Sequence, residues 1–299
     1  KICIQLLGSQ NDMATIRLYR KGPEPGRTPG AEQKAGQQMG RRKKTDKGFL
    51  TVKEPQIGTG KFKNQIVIRS ADLRNVTEVS QEAFANCGNL RDVKFWNIKL
   101  ISRYSFANCA RLKELDFPAG LTQMGIGAFM ADKRLEAVRF HRDSSLTALP
   151  NLAFSECEAL KTVLFPKGLQ SIGRRAFYKC GSLNDAELPL SLKVIGAEAF
   201  YGCALEELEL PEGLLEIGEG AYRKCRNLEY VYLPDTLKKI GKWTFHGCTR
   251  LAVLETRHDP EEIGEWITNK GCVIRCPRGS RMEAYARNYG MTVEYTDSL

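Results

Sequence analysis

Histidine is scarce. The chain has three, His141, His246 and His258, in 299 residues. Acid–base catalysis and zinc sites lean on this side chain, so an enzyme or metalloprotein is the least favoured class. No Gly-rich phosphate loop, Ser-His-Asp order or paired-acid motif stands out. His258, Cys272 and Cys276 are the one grouping of metal-ligand type, and Cys-x3-Cys is a poor zinc spacing. If that segment is extended, the two Cα atoms lie about 13 Å apart, too far for a mutual disulfide. No metal and no cofactor are expected. No apolar run approaches the ~18 residues of a membrane helix. The chain begins at Lys1, as a fragment or a processed form would, and a signal peptide removed before it would leave no trace.

What the chain has in abundance is repetition. Leu169–Pro189 reads LQSIGRRAFYKCGSLNDAELP, and from Leu192 the chain reads LKVIGAEAFYGCALEELELP. The shared frame is Leu, an Ile-Gly pair, an Ala-Phe pair, Cys three residues later, Leu, then an alternating strand ending in Pro. Its aromatic recurs at Phe84, Phe106, Phe129, Phe154, Phe177, Phe200, Tyr222 and Phe245, at intervals of 22 to 25 residues. A fixed period of this length is the signature of stacked repeats, each of which buries its core only against its neighbours.

Ten cysteines invite a disulfide reading, and their positions argue against it. Cys87, Cys109, Cys157, Cys180, Cys203, Cys225 and Cys248 all follow the frame aromatic by three residues. They are expected to form one buried column of inert thiols, since free Cys packs as a small hydrophobe. The third repeat carries Asp132 there, which either faces a helix-end amide or marks a local irregularity.

Charge is unevenly spread. Residues 1–60 carry 12 Lys+Arg against 5 Asp+Glu, and residues 61–299 carry 33 against 30. The basic excess therefore belongs to the leader, and the repeat body gives no reason to expect nucleic-acid binding. Residues 1–20 read as a β-hairpin or the remnant of another domain, from the alternation of Ile2, Ile4 and Leu6 and of Ile16 and Leu18. Residues 21–60 read as a basic, Pro- and Gly-rich linker with the run Arg41-Arg42-Lys43-Lys44. The solenoid is expected over 61–258 and a C-terminal cap over 259–299.

Within the solenoid, Gln65–Arg69 is expected as an incomplete first strand with Ile66 and Ile68 inward. Each later coil is expected to place one helical turn at Ala-Phe and then a strand with its apolar residues on the core side, such as Val163/Phe165 and Leu208/Leu210. Pro118, Pro166, Pro189, Pro211 and Pro234 close strands. The fourth repeat is lengthened at His141–Ser145, a surface bulge or a ligand-contacting loop. Asp259-Pro260-Glu261-Glu262 has the form of a helix start, with the end near Gly271. A second helix is expected from Ser280 to Asn288, then a small strand over Met291–Tyr295.

The Ile-Gly-x-x-Ala-Phe-x-x-Cys frame resembles the BspA-like leucine-rich repeats over about Ile66 to Tyr295, and the tail Cys276-Pro277-Arg278-Gly279-Ser280 with Ala284-Tyr285 and Tyr289-Gly290 is similar to their terminal cap. The resemblance implies an α/β repeat solenoid: a right-handed leucine-rich repeat coil with a parallel β-sheet face, short helical turns and a C-terminal helical cap. It also implies secretion or cell-surface display, adhesion or protein binding in some members, and no shared catalytic residues.

Function then falls to the surface. Outward strand positions stack as ladders, and two successive coils place Asp185, Glu187, Glu207 and Glu209 beside Tyr230 and Tyr232. Residues 183–234 carry 4 basic and 10 acidic side chains. Like charges at cross-strand distance cost stability, which argues for a use, and Tyr is enriched at binding hot spots. The plainer reading is a solvated face whose carboxylates are partly offset by neighbouring Lys and Arg. These six residues are the expected binding site for a protein or glycan ligand, with no membrane insertion. The alternatives are a rigid spacer presenting another domain and, last, a metalloprotein or enzyme.

Overall fold

The computed structural model describes residues 48–296. The hairpin expected over 1–20, the basic run and most of the linker lie outside them. Among the described residues the chain winds in stacked coils, and no helix is long and apolar enough to cross a membrane.

Each coil touches the next along three lines. One is a line of parallel strands of three or four residues: Phe49–Thr51, Ser70–Leu73, Asp92–Phe95, Glu114–Phe117, Ala137–Phe140, Thr162–Leu164, Tyr230–Leu233, Val253–Thr256, Val273–Cys276 and Val293–Tyr295, with pairing interrupted between Asp92–Phe95 and Glu114–Phe117 and between Thr162–Leu164 and Tyr230–Leu233. Burial alternates along them, as in Glu114–Phe117, where Leu115 and Phe117 are buried and Glu114 and Asp116 exposed. The second line is a ladder of two-residue parallel strands, from Gln56–Ile57 to Glu262–Ile263, whose second residue faces the core. It is interrupted between Gln123–Met124 and Ala148–Leu149, where the fourth coil is longer.

The third line is the Ala-Phe segment, and it is not helical. Ala83, Ala85 and Cys87 donate their amides three residues back, to Ser80, Glu82 and Phe84; Glu82, Phe84 and Asn86 donate to Arg103, Ser105 and Ala107 of the next coil. The pattern recurs coil after coil. A helix would keep every N–H inside its own turn, whereas alternate N–H groups here bind the neighbour. The geometry needs left-handed backbone two residues either side of the aromatic, as at Glu82 (φ 55°) and Asn86 (φ 61°), Arg175 (φ 56°) and Lys179 (φ 58°). The expected short helical turns are therefore a stack of β-turns that leaves few backbone groups unpaired.

The Ile-Gly corner owes its glycine to the neighbouring coil. A Cβ on Gly241 would stand 2.4 Å from the Glu219 nitrogen, and one on Gly264 would stand 2.2 Å from that of Lys242. Coil backbones pass too closely there for any side chain.

The core holds the expected columns. Phe62, Phe84, Phe106, Phe129, Phe154, Phe177, Phe200, Tyr222 and Phe245 stack face to face with centroids 4.9 to 5.6 Å apart. Phe95, Phe117 and Phe140 form a second stack, edge-on to the first. Burying such a ring contributes about 1.5–3 kcal/mol, and each ring pair about 0.5–1.5 kcal/mol more. Each of the seven column thiols donates to the carbonyl of the aromatic one coil back, as Cys180 Sγ does to Phe154 O at 3.1 Å. The seven column cysteines and Cys272 are free and buried, and Cys276 is buried as well. Burial pushes the Cys87 thiol up to about 11 and the Cys248 thiol up to about 12. Asp132 does face an amide: its Oδ1 accepts from the Cys109 N–H at 2.7 Å.

The ends differ from the expectation. Phe62 is the first ring of the column, and Phe49–Thr51 pairs with Ser70–Leu73. The first coil thus begins near Gly48, inside the segment read as linker. Ser70–Leu73, not Gln65–Arg69, is the strand. Ile66 is 66% exposed in a turn, while Ile68 is buried. At the other end, Asp259–Gly271 forms no helix. Glu262–Ile263 pairs with Lys239–Ile240, and Ile267 extends the core where the aromatic would stand. Packing of that coil overrides the local helix-start chemistry. The one helix among the described residues, Arg281–Asn288, starts at Ser280, whose Oγ accepts from Glu283 N–H. It closes the stack: the Tyr285 hydroxyl accepts the Ile267 N–H at 2.9 Å, an amide that in inner coils would bind the next coil. Val293–Tyr295 pairs back onto Val273–Cys276 as a short strand.

Candidate binding face

Of the six expected site residues, Asp185, Glu187, Glu207 and Glu209 lie where the long-strand ladder breaks, and Tyr230 and Tyr232 lie in the strand where it resumes. Beyond one bridge between Thr162 and Asp185, residues 186–188 and 205–210 form no backbone hydrogen bond with a neighbouring coil, and no strand is formed at either place. The ladder expected to run through Glu187 and Glu209 is thus open for two coils and resumes at Tyr230–Leu233. Two causes are visible. Four outward carboxylates would stack at strand spacing, which is unfavourable. And the second of these coils is one residue short: Leu205 follows Cys203 by two positions, where Leu183 follows Cys180 and Leu228 follows Cys225 by three. The apolar residues still face the core, with Leu188 and Leu210 each 8% exposed.

The acids of this face differ in one respect from those on either side. Arg139 bridges Glu114 at 2.8 Å and Asp116 at 3.3 Å in the preceding coil. Arg275 bridges Glu255 at 2.9 Å and Glu294 at 2.8 Å. Asp185, Glu187, Glu207 and Glu209 are exposed, and among the described residues none has an ion-pair partner. The offset by neighbouring Lys and Arg holds for the flanks and fails for these four.

The tyrosines stand at the rim. Tyr230, 46% exposed, donates to Glu255 Oε2 at 3.2 Å. Glu255 is covered by Tyr230 and Arg275 and almost buried. Tyr232 donates to Asp235 Oδ1 at 2.9 Å. Burial first, then the Asp235 bond, pushes its phenol up to about 12; burial and the Glu255 carboxylate raise that of Tyr230. Both hydroxyls therefore remain protonated donors across the physiological range.

Beside the open ladder runs a groove of about 970 Å3. Apolar side chains dominate its lining, among them Leu164 and Leu190, 50% and 79% exposed. Glu187, Glu209 and Glu212 stand on it, with Arg142 and Lys167 toward the earlier coils. Sequence reading did not single out Leu164, Leu190 or Glu212 as site residues; the exposed apolar side chains next to strand-closing prolines were the available signal. The lengthened corner at His141–Ser145 brings Arg142 to the groove. Its Ser144 is buried, with Oγ donating to Leu121 O. No cluster of three metal-ligating side chains occurs among the described residues. The arrangement offers no nucleophile with a base beside it; it offers charge, shape and exposed apolar surface.

Solved structures similar to this chain include bacterial leucine-rich repeat proteins. A leucine-rich repeat protein from Bacteroides ovatus is 19% identical, with 83% of this chain and 92% of that one covered at a TM-score of 0.47. The Treponema (T. pallidum) leucine rich repeat protein is 22% identical over 76% of this chain and 85% of its own, with a TM-score of 0.42. A leucine rich cell surface protein from Faecalibacterium prausnitzii is 20% identical over 83% and 87%, with a TM-score of 0.34. Among curated proteins none matches the chain. The sequence profile of the BspA type leucine rich repeat region matches residues 55–183 and 147–274, with 6 copies. With most of its length matched and its coils stacked as that repeat requires, the chain belongs to the BspA-type leucine-rich repeat family.

Proposed function

We propose that the chain is a non-enzymatic binding module of an exported or cell-surface protein. Its partner is a protein segment that is basic and carries at least one large apolar side chain. The basic residues meet Asp185, Glu187, Glu207 and Glu209, the apolar one enters the groove at Leu164 and Leu190, and Tyr230 and Tyr232 flank the contact. The observation that carries this reading is the four unpaired carboxylates on an open ladder between flanks whose acids are paired. A cationic partner would supply the missing counter-charge, and such complementarity sets specificity and association rate. Placement outside the cell rests on the family.

Peptide display tests this directly. Peptides selected on the wild-type chain should be net positive with an apolar residue, and should lose binding to the E207K/E209K variant while the fold is retained. Selected peptides that bind the variant equally well refute the site.

A second reading is supported by the unbroken stack of nine rings from Phe62 to Phe245: a stiff spacer that presents another domain. Under that reading the carboxylate variant has no binding phenotype, whereas inserting or deleting whole coils changes the reach.

A further inference from the structure

The β-turn stack carries its own charge pattern. Over residues 173–182, 196–204 and 218–227 there are six cations, Arg174, Arg175, Lys179, Arg223, Lys224 and Arg226, against two carboxylates, Glu198 and Glu219. Both carboxylates are already engaged, Glu198 by Arg175 at 2.7 Å and Glu219 by Lys242 at 3.5 Å. Lys179, Lys224 and Arg226 are exposed and have no ion-pair partner among the described residues.

These cations are set on aromatic rings. Tyr178 and Tyr201 stack at 4.9 Å in adjacent coils. Lys179 Nζ lies 5.2 Å from the Tyr178 ring centre, and Lys224 Nζ lies 5.4 Å from that of Tyr201. The rings hold the ammonium groups in place, a cation–π contact of the exposed kind. Beside them is a notch of about 350 Å3, lined by Gly181, Gly202, Cys203, Ala204, Lys224, Arg226 and Asn227. The notch sits at the corner that is one residue short, between Cys203 and Leu205. Small residues and two cations line it together.

We propose that this strip binds an acidic polysaccharide, a linear polymer of pyranose rings bearing carboxylate or sulfate groups. Two features select that chemistry. Lys179 and Lys224 occupy the same position two coils apart, a separation of about 10 Å at strand spacing, which is the length of a disaccharide; nucleic-acid phosphates are spaced far more densely. And the faces of Tyr178 and Tyr201 are covered by each other and by cations, so they offer no free platform for stacking bases. The notch receives one sugar ring, with its acidic group against Lys224 and Arg226. This strip is a different surface from the acidic face, so the two readings stand or fall separately.

The test uses the full chain, with hyaluronan and heparin oligosaccharides as carboxylated and sulfated probes and single-stranded DNA as the competing polyanion. The variant K179N/K224N/R226Q removes three charges; Asn is well suited to the left-handed backbone at the first two positions. A companion variant, R41A/R42A/K43A/K44A, removes the basic run of the leader. The expected result is salt-sensitive binding of at least one glycan. It should weaken about tenfold or more in the strip variant, as expected for three exposed charge contacts, with Tm unchanged. It should persist in the leader variant and exceed binding to DNA. No glycan binding, equal binding by the strip variant, loss in the leader variant alone, or stronger binding of DNA would each overturn the proposal.

Discussion

Replacing Asp132 with the residue its equivalents use should stabilise the protein, and the gain should grow with pH. Asp132 is fully buried. One carboxyl oxygen accepts from the Cys109 amide, and the other has no partner. Burial drives the carboxyl pKa well above the ordinary range, more strongly than the Cys109 bond lowers it. The folded-state value thus exceeds the unfolded one. Whatever stability the group contributes is fully present below the ordinary carboxylate range and is lost as pH rises toward the folded-state value. In Asp132→Cys that loss disappears, and the new thiol can donate to the Phe106 carbonyl, as the column thiols do one coil along. An unsatisfied buried polar atom costs about 1–3 kcal/mol. For a fold of this size each kcal/mol moves Tm by about 2–4 °C, so the expected rise at neutral pH is roughly 2–12 °C. Thermal unfolding followed by circular dichroism at pH 4, 6 and 8 measures it. The reasoning fails if the gain is the same at all three values, or if the variant is less stable than wild type at pH 8.

Other perturbations follow from the same core. Tyr222→Phe should raise stability by about 1 kcal/mol in chemical denaturation, because the buried Tyr222 hydroxyl has no hydrogen-bond partner. Gly241→Ala should lower it by about 1–3 kcal/mol or more, since the added Cβ would meet Glu219 backbone at 2.4 Å. E207Q/E209Q should leave the fold intact and raise Tm slightly at low salt, with the difference vanishing at high salt, if the stacked carboxylates repel. At pH 8 iodoacetamide should label none of the column cysteines of the folded chain within the time that labels a free thiol, as burial raises their pKa; rapid labelling of Cys180 or Cys203 would contradict their burial.

Much of the fold could be read from residue spacing. The aromatic and thiol columns followed from the period, and the terminal helix from its Ser280 cap. The turn geometry was hidden because its left-handed positions are filled by Arg175, Lys179, Glu198 and Trp243 as often as by Gly or Asn. Those side chains give no local sign of positive φ; contact with the next coil imposes it. Phe62 lies 22 residues before Phe84, and Ile263-Gly264 lies 23 after Ile240-Gly241. Both coils keep the period, but the rest of the frame is altered there: Trp266 and Ile267 stand in for Ala-Phe, behind an acidic Pro-containing start. For the binding face, the acids themselves were legible. Their lack of counter-charges was not, because Arg139 and Arg275 neutralise carboxylates about 20 to 25 residues away, and only the stacking register shows which acids they reach.

The opened ladder also has a mechanical meaning. Two of the three lines of contact still cross it, through Ser171–Ile172, Val194–Ile195 and Glu216–Ile217 and through the turn stack, but the sheet does not. Tension applied to the two ends would concentrate on this seam. Strand pairing is also missing between Asp92–Phe95 and Glu114–Phe117, but only at the acidic face does the gap span two coils, so the coils before Pro166 and those after Tyr230 would part there as two blocks.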